Sequence, residues 1–233
     1  MLLACSLIFA VAASALLSVD QQRKSYPVKR IDGALVVSGK GDDQRWHAAV
    51  PLSDFGYPWE DDDPPPTRFR ALHNDTWLYC LFEVTDHRIH IDDPDSRDKR
   101  AVIKSSRAEI FFRKDENLSP YYCLEIDPSG RVYDYQARYH RQFDPRWSWP
   151  QGELVVKTHR DATGYTIEVA ISKTSLRALN LLRGDHLEAG VFRADCLPNG
   201  KDMPDFKWAS WAKPSSPTPD FHIPSAFGVM ELQ

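Results

Sequence analysis

The stretch TWLYCLFEVTD, Thr76 to Asp86, alternates with a period of two. Leu78, Cys80, Phe82 and Val84 fall on one face of an extended chain, and Tyr79, Leu81 and Glu83 on the other. Both faces are largely apolar, so a strand here must lie centrally, covered on both sides. RFRALHN leads into it through Asn74-Asp75, a hairpin-type turn. RAEIFFRKD, YYCLEIDPSG and RVYDYQARYH continue in the same style, the last two joined by a tight turn at Pro128-Ser129-Gly130. GELVVKTHRDATGYTIEVAI reads as a hairpin through Asp161 to Gly164, HLEAGVFRADC as a further strand and FGVMELQ as the closing one. The one helical piece is SKTSLRALNL, opened by a Ser/Thr cap and stopped before Arg183-Gly184. DFGYPWEDDDPPPT, Asp54 to Thr67, is acidic and proline-rich and reads as a surface loop. Short strands with close turn signals and one short helix predict an all-β chain, an antiparallel β-sandwich of jelly-roll or Ig-like type in a single domain.

The longest apolar run, MLLACSLIFAVAASALLSV, occupies residues 1–19 and reads as a signal peptide, with small residues around Ala12 to Ala15 suited to cleavage. No Lys or Arg precedes it, so an uncleaved N-terminal anchor is the alternative, and no transmembrane bundle is expected. The chain is therefore expected to be secreted or extracytoplasmic, with its domain at 27–233. Past this run the cysteines are Cys80, Cys123 and Cys196, an odd and widely spaced set that reads as buried thiols. A net charge of -4 gives no footprint for nucleic acid, whose phosphates demand clustered Lys and Arg.

Glu109, Glu125 and Glu168 sit in strands and invite a glycosidase acid/base reading, since that chemistry needs two carboxylates across a sugar. In a strand, an alternating charged residue more simply faces solvent or lines a cleft, and the chain reads as a binding protein rather than an enzyme. No nucleophile elbow, HExxH or phosphate-cradling glycine loop accompanies them. The run HRIHIDDPDSRD, His87 to Asp98, mixes groups a calcium ion accepts but lacks the glycine and terminal glutamate of a helix-loop-helix calcium site. Aromatic residues are the stronger signal, with seven Trp and nine Tyr. Sugar rings stack their C–H faces on such side chains, and their hydroxyls need a few fixed polar partners. In FKWASWAK, an odd separation sends Trp208 and Trp211 to opposite faces of an extended chain, one into the core and one outwards.

Read in order, RIDG, TRFRALHNDTWLYCLFEVTD, AEIFF, YYCLEIDPSGRVYD, GYTIEVAI, FRADC, ASW and FHIPSAFG resemble the pattern of carbohydrate-binding module family 9 and its single-domain relatives, from Ile31 to the C-terminus. The resemblance implies a sugar-binding β-sandwich of the kind found in secreted polysaccharide-degrading enzymes such as xylanases, with a saccharide as ligand and no named protein partner. It further implies two tryptophans clamping a terminal sugar beside a glutamate. Glu109 matches that glutamate and Trp211 one tryptophan, which makes Trp211 the expected stacking surface and Trp208 the core residue. Ile103 stands where the second tryptophan is expected. Glu125 stands near the place of the family's arginine, with Arg107 and Arg138 as substitutes. Tyr133, Tyr135, Tyr139, Trp147 and Trp149 are candidates to rebuild an aromatic wall. The resemblance also implies structural calcium, with Asp32 and Asp86 in matching motifs and no complete ligand set.

Overall fold

The computed structural model describes residues 23–233, so the apolar run at 1–19 lies outside the described residues. The strands follow the predicted punctuation: β1 (Ser25–Arg30), β2 (Thr67–His73), β3 (Trp77–Thr85), β4 (Arg107–Arg113), β5 (Tyr121–Ile126), β6 (Val132–Arg138), β7 (Gln142–Asp144), β8 (Leu154–Arg160), β9 (Gly164–Ser172), β10 (Leu182–Arg183), β11 (His186–Leu197), β12 (Asp205–Ser210) and β13 (Gly228–Leu232). The helix α1 (Lys173–Ala178) falls where the capping signal placed it, and the Ser172 hydroxyl accepts from the Thr174 amide. Three short 3-10 segments complete the regular structure of the described residues. No helix among them is long and apolar enough to cross a membrane.

The hairpin at Asn74-Asp75 forms as predicted, pairing β2 with β3 in antiparallel register from Thr67–Val84 to His73–Leu78. Asn74 fixes that turn, its carbonyl oxygen accepting from the Thr76 and Trp77 amides while its NH₂ donates to the Gly33 carbonyl. β3 is flanked by β2 and β9, the central position that its two apolar faces demanded.

The strand order is β7-β6-β5-β4-β11-β13-β1-β2-β3-β9-β8, with β10 and β12 also paired to β11. The purely antiparallel expectation is corrected at β1, which runs parallel to both of its neighbours. Its first residues, Ser25 to Val28, pair with β13, and Lys29 and Arg30 pair with β2. One strand thus passes from one ladder to the other and joins them into a single curled, mixed sheet. The long connection from Arg30 to Thr67 permits this, since parallel neighbours cannot be joined by a tight turn.

The two arms of the sheet share one core. Phe69, Cys80, Ile167 and Val169 from one arm pack in the same cluster as Ile110, Phe112, Leu124 and Val191 from the other. A second apolar cluster lies on the opposite face of the β4–β5–β6–β11 arm and includes Phe111, Cys123, Tyr133, Tyr135, Phe192 and Phe221. β4 is buried at every residue, although its sequence carries Arg107, Glu109 and Arg113, because loops cover its outer face. Cys80, Cys123 and Cys196 are free and buried, as expected.

Candidate functional site

Register builds the site on that covered outer face. Across β11, β4, β5 and β6, Phe192 stands opposite Glu109, Glu109 opposite Glu125, and Glu125 opposite Tyr133. One step along, Trp208 of β12 stands opposite Ala194 of β11, and Ala194 opposite Arg107. Directly opposed residues share a face, so two carboxylates, a guanidinium, a tyrosine and a tryptophan converge. The small Ala194 side chain leaves room for Arg107 to lie beneath the rings of Trp208 and Phe206, 5.3 and 5.2 Å from their centroids.

Loops close this patch into a cavity of about 300 Å³. Trp59 comes from the proline-rich loop, Ile103 from the segment before β4, and Phe221 and His222 from the loop before β13. Trp59 is fixed by its indole N–H, which donates to the Ser216 carbonyl at 2.9 Å, and packs on Phe221. His222 stacks on Phe111 at 5.2 Å, and burial, with the charge of Arg141 adding, pushes it down to about 3. It is therefore neutral at physiological pH. Phe143 and Met203 stand at the mouth, as do Arg141 and Asp220, paired at 2.8 Å.

At the floor, Arg107 Nε lies 2.8 Å from Glu109 Oε1 and 2.8 Å from Glu125 Oε2. Neither contact has the angle of a well-directed hydrogen bond, so these three buried atoms are held chiefly as an ion cluster. Arg107 Nη1 donates to the carbonyls of Ile103 and Ser105, and the Tyr135 hydroxyl donates to Glu125 Oε1 at 2.8 Å. Two carboxylates against one guanidinium leave an excess of negative charge out of reach of water. Burial and then the charge of Glu125 push Glu109 up to about 8, against the pull of Arg107.

This shift has a signed consequence. Above its ordinary range near 4.5, Glu109 ionises in the unfolded chain but keeps its proton in the folded one, so the folded state binds more protons and stability falls as pH rises towards 8. The expected slope is up to about 1.4 kcal/mol per pH unit in that window. Glu109→Gln should flatten it, as read by urea midpoints between pH 5 and 8, and an unchanged slope in the variant would exclude Glu109 as its source.

The structure gathers Glu109, Arg107, Tyr133 and Tyr135 around one cavity, and adds Glu125 and Ile103. It reverses the tryptophans. Trp208 and Trp211 do point to opposite faces, but Trp211 is 3 % exposed inside the core shared by the two arms, edge-on to Tyr26 at 6.4 Å. A Cβ on Gly228 would sit 2.6 Å from the Trp211 ring, so the site against it is closed. The ring that lines the cavity is Trp208, whose partners on β11 face outwards. Of the other wall candidates, Trp149 and Trp147 pack with the core on the far side of the sheet, while Tyr139 and Arg138 are exposed at the end of β6. Glu168 is buried in the other arm, where it accepts from the Trp46 indole and the Ser38 amide. Trp59, Phe206, Phe221 and His222 were not anticipated as lining; the Phe-His pair was visible in the sequence, but nothing showed that the proline-rich loop folds back over β4.

The residues suggested for calcium do not fit it. Asp32 is exposed, and the buried Asp86 carboxylate faces the fully buried guanidinium of Arg193 at 3.4 Å, with Asp195 at 3.6 Å from the same nitrogen. A fixed cation already occupies the charge environment a metal would need. Among the described residues no group of three or more His, Cys, Asp or Glu is placed to hold a metal ion.

The same architecture recurs in solved structures. A Bacteroides uniformis protein named as a candidate carbohydrate-binding protein superposes with a TM-score of 0.64 at 16% identity, covering 91% of this chain and 100% of its own. A family 9 carbohydrate-binding module of Caldicellulosiruptor kristjanssonii, solved with cellotriose, gives 0.58 at 17% identity over 90% of this chain and 94% of its own. The structure of a family 9 module from that organism with glucose gives 0.55 at 16% identity, covering 90% and 96%. At such identities the likeness establishes the fold. No curated protein matches the chain significantly in sequence. The model of the family described as "Carbohydrate family 9 binding domain-like" matches residues 37–233, most of the chain and every strand from β2 to β13, and the protein belongs to that family.

Proposed function

We propose that the cavity between Trp208, Trp59 and the Arg107–Glu109–Glu125 floor binds a neutral saccharide without hydrolysing it. The observation that carries this reading is the pairing of aromatic walls with a buried charged floor whose mutual contacts are not hydrogen bonds. Pyranose C–H faces suit the rings, and adjacent hydroxyls suit a carboxylate beside a guanidinium, which need more partners than they give each other. Membership of the family, and modules of like fold that hold cellotriose and glucose, support it.

A hydrolase reading has less support. Glu109 and Glu125 are cross-strand neighbours held on the same guanidinium, so both carboxylates meet a ligand from one side, whereas glycoside hydrolysis needs them flanking the scissile bond.

A glycan array probed with the protein is expected to show binding to neutral saccharides. Trp208→Ala should weaken the signal by up to about tenfold, the effect of losing one well-packed stacking ring. No glycan above background would overturn the proposal. The reading extends to export, on the strength of the apolar run at 1–19, and to a role in polysaccharide breakdown, on the strength of the family. Mass analysis of the mature N-terminus in the native host tests the first.

A further inference from the structure

The cavity floor holds more acceptors than hydrogens to fill them. Arg107 Nε carries a single hydrogen yet faces two carboxylate oxygens, Glu109 Oε1 and Glu125 Oε2, each at 2.8 Å. Arg107 Nη1 is engaged by the Ile103 and Ser105 carbonyls. The one further hydrogen, on the Tyr135 hydroxyl, goes to Glu125 Oε1. Glu125 therefore has a donor on one oxygen and the guanidinium beside the other, whereas Glu109 has only the shared guanidinium. A carboxylate that accepts hydrogen bonds keeps its charge more easily than one that does not. Two carboxyls against one cation in a buried floor retain a proton between them, and this geometry leaves it on Glu109. Burial and then the charge of Glu125 act in the same direction on Glu109.

No other floor group that faces Glu109 competes for that proton around neutral pH. On β5 and β6, burial above all pushes the Cys123 thiol and the Tyr133 and Tyr135 hydroxyls up, Tyr133 to about 12. His222, from the loop before β13, is neutral, and Arg141 and Asp220 neutralise each other at the mouth. From β12 and the proline-rich loop only rings reach the cavity: Phe206, Trp208 and Trp59.

We propose that Glu109 meets the saccharide as a carboxylic acid, its hydroxyl donating to a sugar oxygen while Glu125 acts as the acceptor, so that sugar binding requires a proton on Glu109. This rests on the proposed saccharide reading and deepens it. A protonated carboxyl can donate a hydrogen bond, which a carboxylate cannot, so the floor presents a donor and an acceptor side by side. Adjacent hydroxyls of one neutral sugar need that combination. Affinity is then lost on the alkaline side, as the proton leaves.

Calorimetric titration in buffers of different ionisation heat reads the proton directly. The probes are cellotriose, held by a module of like fold, and the neutral saccharide with the strongest array signal. At pH 9 the unaltered protein should take up about one proton per sugar bound, and at pH 6.5 none. Affinity should be about tenfold weaker at pH 9, where only about a tenth of the free protein still carries the proton. Glu109→Gln keeps an N–H donor that it cannot lose, so its affinity, whatever its level, should vary less than about twofold over that range. Glu125→Gln removes the charge that holds the proton on Glu109 and should move the alkaline fall down by at least about one pH unit. If Glu109→Gln binds too weakly to titrate, the Glu125→Gln shift decides. Affinity of the unaltered protein that ignores pH, an alkaline fall that persists in Glu109→Gln, or one that stays in place in Glu125→Gln overturns the donor role and leaves the saccharide reading intact. Absence of binding to every sugar at every pH overturns both.

Discussion

Trp211→Ala should destabilise the fold by about 3–5 kcal/mol, the cost of deleting a large aromatic side chain from a core that cannot collapse around the space. The ring is nearly fully buried between the two arms, edge-on to Tyr26 and closed off by Gly228. Trp208→Ala removes a partly buried ring at the edge strand β12 and should cost less than half as much, while taking most of the sugar affinity with it. Urea denaturation of the two variants, alongside glycan binding, separates these roles. Trp211→Ala staying within about 1 kcal/mol of the parent protein would contradict its place in the core.

The second large effect is at Arg107. Arg107→Met leaves Glu109 and Glu125 facing each other in a buried cavity floor with no cation between them, and breaking a buried pair in this way costs about 3–5 kcal/mol. Removing the surplus charge should restore stability, so Arg107→Met with Glu125→Gln is expected to recover at least half of the loss. Neither variant should bind sugar, because the guanidinium is gone in both. Recovery of stability without recovery of binding is the signature of a group that both balances the buried charge and meets the ligand. A double variant as unstable as the single one would refute the charge account.

Much of this architecture was legible in the chain. The alternation in Thr76–Asp86 placed β3 at the centre, the turn signals located the hairpins, and the Ser172 cap located α1. Glu109 was singled out through the order of motifs, with Arg107 as a substitute for a missing arginine and Tyr133 and Tyr135 as wall candidates, and the structure brings all four to one cavity. The parallel placement of β1 was not legible, since its short run carries no mark of whether a neighbour comes from the hairpin beside it or from the far end of the chain. Nor was Trp59: a proline-rich acidic loop reads as solvent-facing, and only the Trp59 bond to Ser216 and its packing on Phe221 show it turned inwards.

The two tryptophans of ASW and its preceding FKW mark the boundary. Their odd spacing in the sequence determined that one ring goes to each face, because side chains alternate along an extended backbone. Which face is core was decided by the pairing of β12 with β11, where Trp208 opposes Ala194 on the side that carries Arg107 and Glu109. Alternation is a local property of the chain and survives without its neighbours, whereas inside and outside exist only once another strand and a covering loop are in place.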